Sequence, residues 1–262
     1  MSSREEIVQS IYENSDEDAR LSKNRHGELE YRVTMAYIHR YLKKGCRVLE
    51  LGAGTGRYSI ALAKEGMDVT AIELVASNLD VLKRHAEGIT NVRALQGDAT
   101  DLSMLEDESY DVTLVLGPMY HLYEKEEISS AIKEAIRVTK QGGVLLFAFL
   151  SIYAIMYADY CYGNWKEGIE ENYDKDLKPL RFKEQLFTGY DIVEFEDLFK
   201  DMDVEHLLTV GVDGMLEPIE KRPDFHFSDE DFDSFTRWYL TIAEKRELLG
   251  GCNHLLYICK KR

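Results

Sequence analysis

The stretch Val48-Leu49-Glu50-Leu51-Gly52-Ala53-Gly54-Thr55-Gly56-Arg57 decides the fold. Residues 46–51 are short and mostly apolar, as a parallel strand buried on both faces requires. Glycines at 52, 54 and 56 follow at every second position, and they let the backbone turn tightly and approach a ligand closely. Residues 57–64 then read as a helix. Strand, glycine turn and helix in that order form a crevice at the strand's carboxyl end, the natural place for a nucleoside cofactor. The spacing is G-x-G-x-G, not the G-x-G-x-x-G of a dinucleotide site, and Arg57 and Tyr58 come next. A wider loop that holds an amino-acid-like group is the better fit.

Two acids fall in register with this loop. The strand-like segment 68–72 ends in Glu73, where a carboxylate accepts from both ribose hydroxyls. The segment 92–96 is followed by Gly97-Asp98-Ala99, which places Asp98 to accept from an adenine amino group. Seen alone, each acid reads equally well as a solvated loop residue or a helix cap. Three such features at successive strand ends point to one ligand.

With these residues the chain resembles the class I S-adenosylmethionine-dependent methyltransferases. The matching residues are Glu50-Leu51-Gly52-Ala53-Gly54-Thr55-Gly56, Glu73, Gly97-Asp98-Ala99 and Tyr110-Asp111-Val112-Thr113-Leu114-Val115-Leu116. The likeness covers residues 28 to 150 well and the C-terminal strands loosely. The runs 117–122 and 249–258 look like a group of bacterial small-molecule methyltransferases. The resemblance implies a Rossmann-like, doubly wound α/β fold with a mostly parallel seven-stranded sheet whose last strand is antiparallel. It implies S-adenosylmethionine as cofactor, S-adenosylhomocysteine as product, and methyl transfer as the reaction. It also implies that Glu50 helps position the methionine amino end. It does not name the acceptor.

Composition narrows the partners. The 32 Lys and Arg against 48 Asp and Glu leave a net charge of −16, which repels phosphate backbones and argues against duplex nucleic acid. The start, Met1-Ser2-Ser3-Arg4-Glu5-Glu6, is too charged for a signal peptide. The apolar run 144–150 is too short to span a bilayer. Four cysteines without a C-x-x-C pair suit a reduced, cytoplasmic protein. No H-E-x-x-H is present, so no metal site is expected. The acceptor expected is a small molecule, the oligomeric state a monomer or homodimer.

The chain reads as one methyltransferase domain with four parts. Residues 1–45 form an N-terminal helical cover, with helices over 3–14 and 27–42, the second closed by Gly45. Residues 46–149 form the cofactor-binding core, with strands 46–51, 68–73, 91–96, 110–116 and 143–149. Helices 57–66, 76–87 and 124–139 alternate with them, the pattern of a parallel sheet covered on both faces. Residues 150–190 break the rhythm and form an aromatic-rich cap insertion, carrying Tyr153, Tyr157, Tyr160, Tyr162, Trp165, Tyr173, Phe182, Phe187 and Tyr190. It reads either as a lid over an apolar acceptor pocket or as a self-packed excursion or dimer contact. Residues 191–262 complete the sheet, with helix 192–201, strand 204–210, a loop at 212–227, a helix over 228–248 and strand 253–259. Ser228-Asp229-Glu230-Asp231 fits a capping box for that last helix.

Methyl transfer from a sulfonium is an in-line displacement that needs alignment and a dry, aromatic-rich pocket. Gly52, Ala53 and Gly54 are the strongest expected cofactor contacts, with Glu50, Thr55, Gly56 and Tyr58 in the same crevice. Glu73 with Leu74, Asp98 with Ala99, and Leu116 continue the site along successive strand ends. Tyr31 on the leading helix either closes over the methionine carboxylate end or packs in the core. Gly117 and Pro118 make a sharp exit from strand 110–116 and bring Tyr120 and His121, the catalytic candidates, to the cleft. His121 reads as a general base or acceptor-positioning group, or as a loop-holding histidine. Gly117-Pro118-Met119-Tyr120 stands where amino-methylating nucleic-acid enzymes carry N/D-P-P-Y/F, which disfavours a base substrate. The rivals are a nicotinamide oxidoreductase, a non-catalytic S-adenosylmethionine-binding sensor, and methylation of a protein or RNA.

Overall fold

The computed structural model describes residues 3–13, 16–182, 184–185 and 187–262. Asn14, the end of the first expected helix, lies outside them, as do Met1, Ser2, Ser15, Lys183 and Leu186. In chain order the elements are α1 (Arg4–Glu13), α2 (Arg25–His39), β1 (Arg47–Leu51), α3 (Arg57–Lys64), β2 (Asp68–Glu73), α4 (Ala76–His85) and β3 (Val92–Gln96). Then come β4 (Tyr110–Val115), a 3-10 turn (Pro118–His121), α5 (Lys125–Val138) and β5 (Thr139–Ser151). The insertion holds α6 (Ile152–Ile155), a π-helical segment (Met156–Asn164), α7 (Trp165–Asn172) and β6 (Gly189–Tyr190). The chain closes with α8 (Ile192–Asp197), β7 (Val204–Gly211), α9 (Leu216–Glu220), α10 (Asp229–Tyr239), α11 (Arg246–Leu249) and β8 (His254–Lys261).

The sheet order is β3-β2-β1-β4-β5-β8-β7, and β8 runs antiparallel to both neighbours. This is the expected doubly wound α/β sheet. The order reverses at β1 and β4, so the crevice opens beyond their carboxyl ends. The sheet has eight strands, not the expected seven, because Gly189 and Tyr190 return from the insertion and pair in parallel with Leu150 and Ser151.

Burial follows the period-two alternation of strands. On β5, Leu145, Phe147 and Phe149 enter one core with α5, while Leu146, Ala148 and Leu150 enter the other with α2, α3 and α10. Phe149 stacks on Phe195 of α8 with ring centroids 4.0 Å apart. The two layers hold the sheet rigid under the crevice.

Several boundaries depart from the sequence reading: α2 ends at His39, not 42, β5 spans Thr139–Ser151, not 143–149, and α8 ends at Asp197, not 201. The second helix starts at Arg25, capped by Asn24, whose side chain accepts from the Gly27 N–H at 3.0 Å. The expected helix over 228–248 is two, α10 and α11, separated by a turn over 240–245. Ser228 does cap α10, accepting from the Asp231 N–H. The expected loop at 212–227 contains α9, whose Glu220 accepts from His26 at the start of α2. Among the described residues, no helix is long and apolar enough to cross a membrane.

Candidate active site

A cavity of about 1060 Å³ opens at the carboxyl ends of β1, β2 and β4. Its floor is the glycine loop. Gly52 has φ +72°, and an added Cβ would lie 2.6 Å from Pro118 Cδ. The position therefore needs glycine twice over, for the backbone angle and for the close approach of the loop after β4. Gly56 is different. It lies outside the cavity lining, and a Cβ there would strike Leu82 Cγ of α4 at 2.8 Å. Gly56 is thus a spacer between helices, not a contact surface.

The strand-end acids are fixed by the loop itself. Glu73 accepts from the Gly54 N–H at 2.7 Å and from the Val75 N–H at 2.8 Å, tying the loop to the end of β2. Burial raises its pKa, and these N–H groups oppose the rise. Glu50 is almost fully buried and accepts from the Ser59 hydroxyl of α3. Burial pushes its carboxyl up to about 8. Asp98 accepts at one oxygen from the Thr100 N–H and hydroxyl, both at 2.9 Å, and its other oxygen pairs with Arg4 of α1.

The 3-10 turn after β4 buries Tyr120 and His121. His121 Nε2 shares a hydrogen bond with the Tyr12 hydroxyl at 2.9 Å. Its Nδ1 is buried with no protein partner. Burial, with the Arg4 charge adding to it, pushes the imidazole down to about 4, so the ring is neutral at physiological pH. Tyr12, Tyr120 and Phe187 surround it with aromatic surface.

Of the residues singled out from the sequence, Glu50, Gly52, Ala53, Gly54, Thr55, Tyr58, Glu73, Leu74, Asp98, Ala99, Leu116, Tyr120 and His121 line this one cavity. Tyr31 does not. It packs against Tyr58 with ring centroids 5.2 Å apart and lies under the Arg57 guanidinium, so its ring supports the wall from behind.

Several lining residues carry no motif in the sequence. Arg4 and Tyr12 reach in from α1. Arg20 binds both oxygens of Glu30 at 2.8 and 3.1 Å and also Glu17 at 3.1 Å. His254, at the start of β8, bonds Asp213 at 2.8 Å and lies 3.7 Å from Glu30. Burial works against its charge, but Glu30 and Asp213 together raise its pKa. An apolar stripe on α1 (Val8, Ile11, Tyr12) was the one available signal for that wall. The His254 pairs join segments distant in sequence and leave no spacing to read, whereas the Arg20 pairs are local.

The insertion divides its aromatics. Tyr160, Phe182 and Phe187 line the cavity. Tyr190 is buried against Phe195 in the core. Tyr153, Tyr157, Tyr162 and Trp165 face solvent.

Residues 48–143 match the family model for the methyltransferase domain. The chain is 29% identical over 182 residues to a ubiquinone biosynthesis O-methyltransferase of Rickettsia canadensis, covering 66% of this chain and 75% of that one. It is 34% identical over 110 residues to an uncharacterized methyltransferase of Bacillus subtilis, covering 41% of this chain and 42% of the relative. Among solved structures, a Thermotoga maritima S-adenosylmethionine-dependent methyltransferase, described as a possible histamine N-methyltransferase, superposes with TM-score 0.61. Identity there is 17%, and 99% of each chain is covered.

Proposed function

Because the chain belongs to the class I S-adenosylmethionine-dependent methyltransferases, we propose that it methylates a small-molecule acceptor bound beside His121. The observation that carries this reading is the cavity of about 1060 Å³ that runs from the glycine loop past the turn after β4. Ligand pockets commonly hold about 300–1000 Å³, so this one has room for a nucleoside and a second small molecule together. An occluded cleft at that turn would have favoured a non-catalytic sensor.

The residues fit the cofactor. Gly52 lets the loop turn against Gly117 and Pro118, so that its backbone lines the cavity. Glu73 faces the same space with its remaining lone pairs, as a ribose diol requires. Asp98 and Ala99 flank the adenine end, Leu74 and Leu116 its apolar walls, and Glu50 with Thr55 and Tyr58 the methionine end. When bound, S-adenosylmethionine supplies an electrophilic methyl group on a good leaving group.

The chain's own task is alignment. The Gly117-Pro118 exit brings Tyr120 and His121 to the cavity wall. A neutral His121, held through Nε2 by Tyr12, presents Nδ1 to the acceptor. With its pKa near 4 it is a poor general base, so its role is to position the acceptor by a hydrogen bond. The aromatic rings around it exclude water from the reacting atoms. The insertion supplies Phe182 and Phe187 to that wall and acts as the lid.

Calorimetry with S-adenosylmethionine and S-adenosylhomocysteine, with NADH as control, tests the reading. Both sulfur nucleosides bind, and Glu73→Ala weakens them about tenfold or more, as expected for lost hydrogen bonds to a charged group. No binding, or preference for NADH, overturns the proposal.

A further inference from the structure

The cavity lining carries two buried carbonyl oxygens that have no hydrogen-bond partner among the described residues. Gln185 lines the cavity and is 8% exposed, and its Oε1 is buried without a partner. Asn253, also in the lining, has its Oδ1 in the same condition. Side-chain amides are ambiguous until their partners decide which atom is nitrogen. Here the partners decide. Asn172 must give its Nδ2 to the Gly168 carbonyl, at 3.0 Å, because a carbonyl only accepts. Its Oδ1 therefore faces Gln185 and accepts from Gln185 Nε2 at 2.7 Å, which leaves Gln185 Oε1 as the free end. Asn253 gives its Nδ2 to the Glu217 carboxylate at 2.7 Å, which leaves its Oδ1. Both orphans are acceptors, so the missing partner must donate.

The surrounding charge specifies the donor further. The described lining residues include eleven Asp and Glu against four Arg and Lys. The Glu50 carboxyl is pushed up to about 8, and Glu217 pairs with Lys221 at 3.3 Å. The excess of negative charge is therefore smaller than the count, but most cations in the lining are also paired. Arg4 pairs with Asp98 and Glu127, Arg20 with Glu17 and Glu30, and Arg57 lies over Tyr31. A negative field in a walled cavity concentrates cations and disfavours carboxylates and phosphates. The lining also carries the aromatic Tyr160, Phe182 and Phe187. Aromatic faces attract ammonium groups and cover an apolar body.

We propose that the acceptor is a small organic cation, an apolar molecule bearing a protonated amine whose N–H groups bond Gln185 Oε1 and Asn253 Oδ1 beside Glu217. This inference rests on the methyltransferase reading and gives it a substrate class. The amine is the recognition handle, and Gln185 and Asn253 are specificity residues.

The test is calorimetry at saturating S-adenosylhomocysteine with three isosteric probes, 2-phenylethylamine, 2-phenylethanol and phenylacetate, each repeated with an n-hexyl body. The amines bind at least tenfold tighter than the alcohols, and the carboxylates do not bind. Gln185→Leu and Asn253→Leu each weaken the amines about tenfold and leave the S-adenosylhomocysteine affinity unchanged. Two variants in different segments guard against one failing to fold. If amines and alcohols bind equally, or if neither does, or if both variants bind amines as the parent does, the substrate class is wrong while the cofactor reading stands. If S-adenosylhomocysteine itself does not bind, the underlying reading fails instead.

Discussion

The two ends of the cavity are built in different ways. At the glycine-loop end, Glu50, Gly52, Gly54, Glu73 and Asp98 come from successive strand ends, and backbone N–H groups hold Glu73 and one oxygen of Asp98. At the far end, Tyr12, His121, Gln185, Asn253 and His254 come from segments spread along the chain, and side-chain pairs fix them. Backbone tethering makes the first end insensitive to most surface change and intolerant of changes in the loop. Side-chain tethering makes the second end adaptable. A fold that keeps one cofactor while its acceptor varies needs this division.

The sharpest way to break the comparison is Gly52→Ala. Its backbone angle costs an L-residue about 1–2 kcal/mol, and the new methyl group meets Pro118. S-adenosylhomocysteine affinity falls by roughly a hundredfold, the cost of displacing the loop from Pro118. Calorimetry at parent-level affinity for this variant would remove the loop from the cofactor site.

Glu50 offers the next largest effect, on stability. The folded chain keeps its proton up to about pH 8, whereas the unfolded chain releases it near pH 4.5. The folded state therefore binds more protons between these values, and stability falls as pH rises through them. Glu50→Gln removes this loss, so its advantage in thermal unfolding grows from pH 5 to pH 8, on the order of 2 kcal/mol. A pH-independent difference would show that Glu50 is charged in the folded protein.

Asp98→Ala comes third. It removes the acceptor proposed for adenine and leaves Arg4 with Glu127 alone, weakening S-adenosylhomocysteine about tenfold. Arg4→Ala, which leaves Asp98 in place, costs only severalfold. Equal losses for the two would assign the effect to α1 rather than to the ligand.

The smallest effect belongs to the Tyr12–His121 pair. His121 is neutral in the folded chain down to about pH 4, but the unfolded chain protonates it near 6.5. Its contribution to stability is full above 6.5 and is lost as pH falls toward 4. His121→Gln flattens the acid limb of the unfolding curve by about 1 kcal/mol. Both Tyr12→Phe and His121→Gln leave S-adenosylhomocysteine affinity unchanged. A shift in that affinity would merge the two ends into one unit.

The glycine-loop end was legible because its signals are local. A strand buried on both faces must be a continuous apolar run, and the residue after it must turn, so Val48 to Gly54 announces both. Gly56 shows the limit of that logic. It shares the motif, but the packing of Leu82 explains it. Tyr31 sits on the helix expected to cover the site, yet helix rotation turns its ring toward Tyr58 and Arg57. The two-residue β6 and the break between α10 and α11 gave no periodic signal at all.

By itself the sequence determined the alternation of strands and helices, the crevice and the acids at successive strand ends. Those follow from hydrophobic periodicity and from glycine's backbone freedom, which act over a few residues. Only the tertiary structure decided that Tyr12 meets His121, that His254 meets Asp213, and that Gln185 and Asn253 leave their carbonyls open in one cavity. Such pairings arise when the chain closes on itself, and nothing in local composition fixes which distant side chains become neighbours.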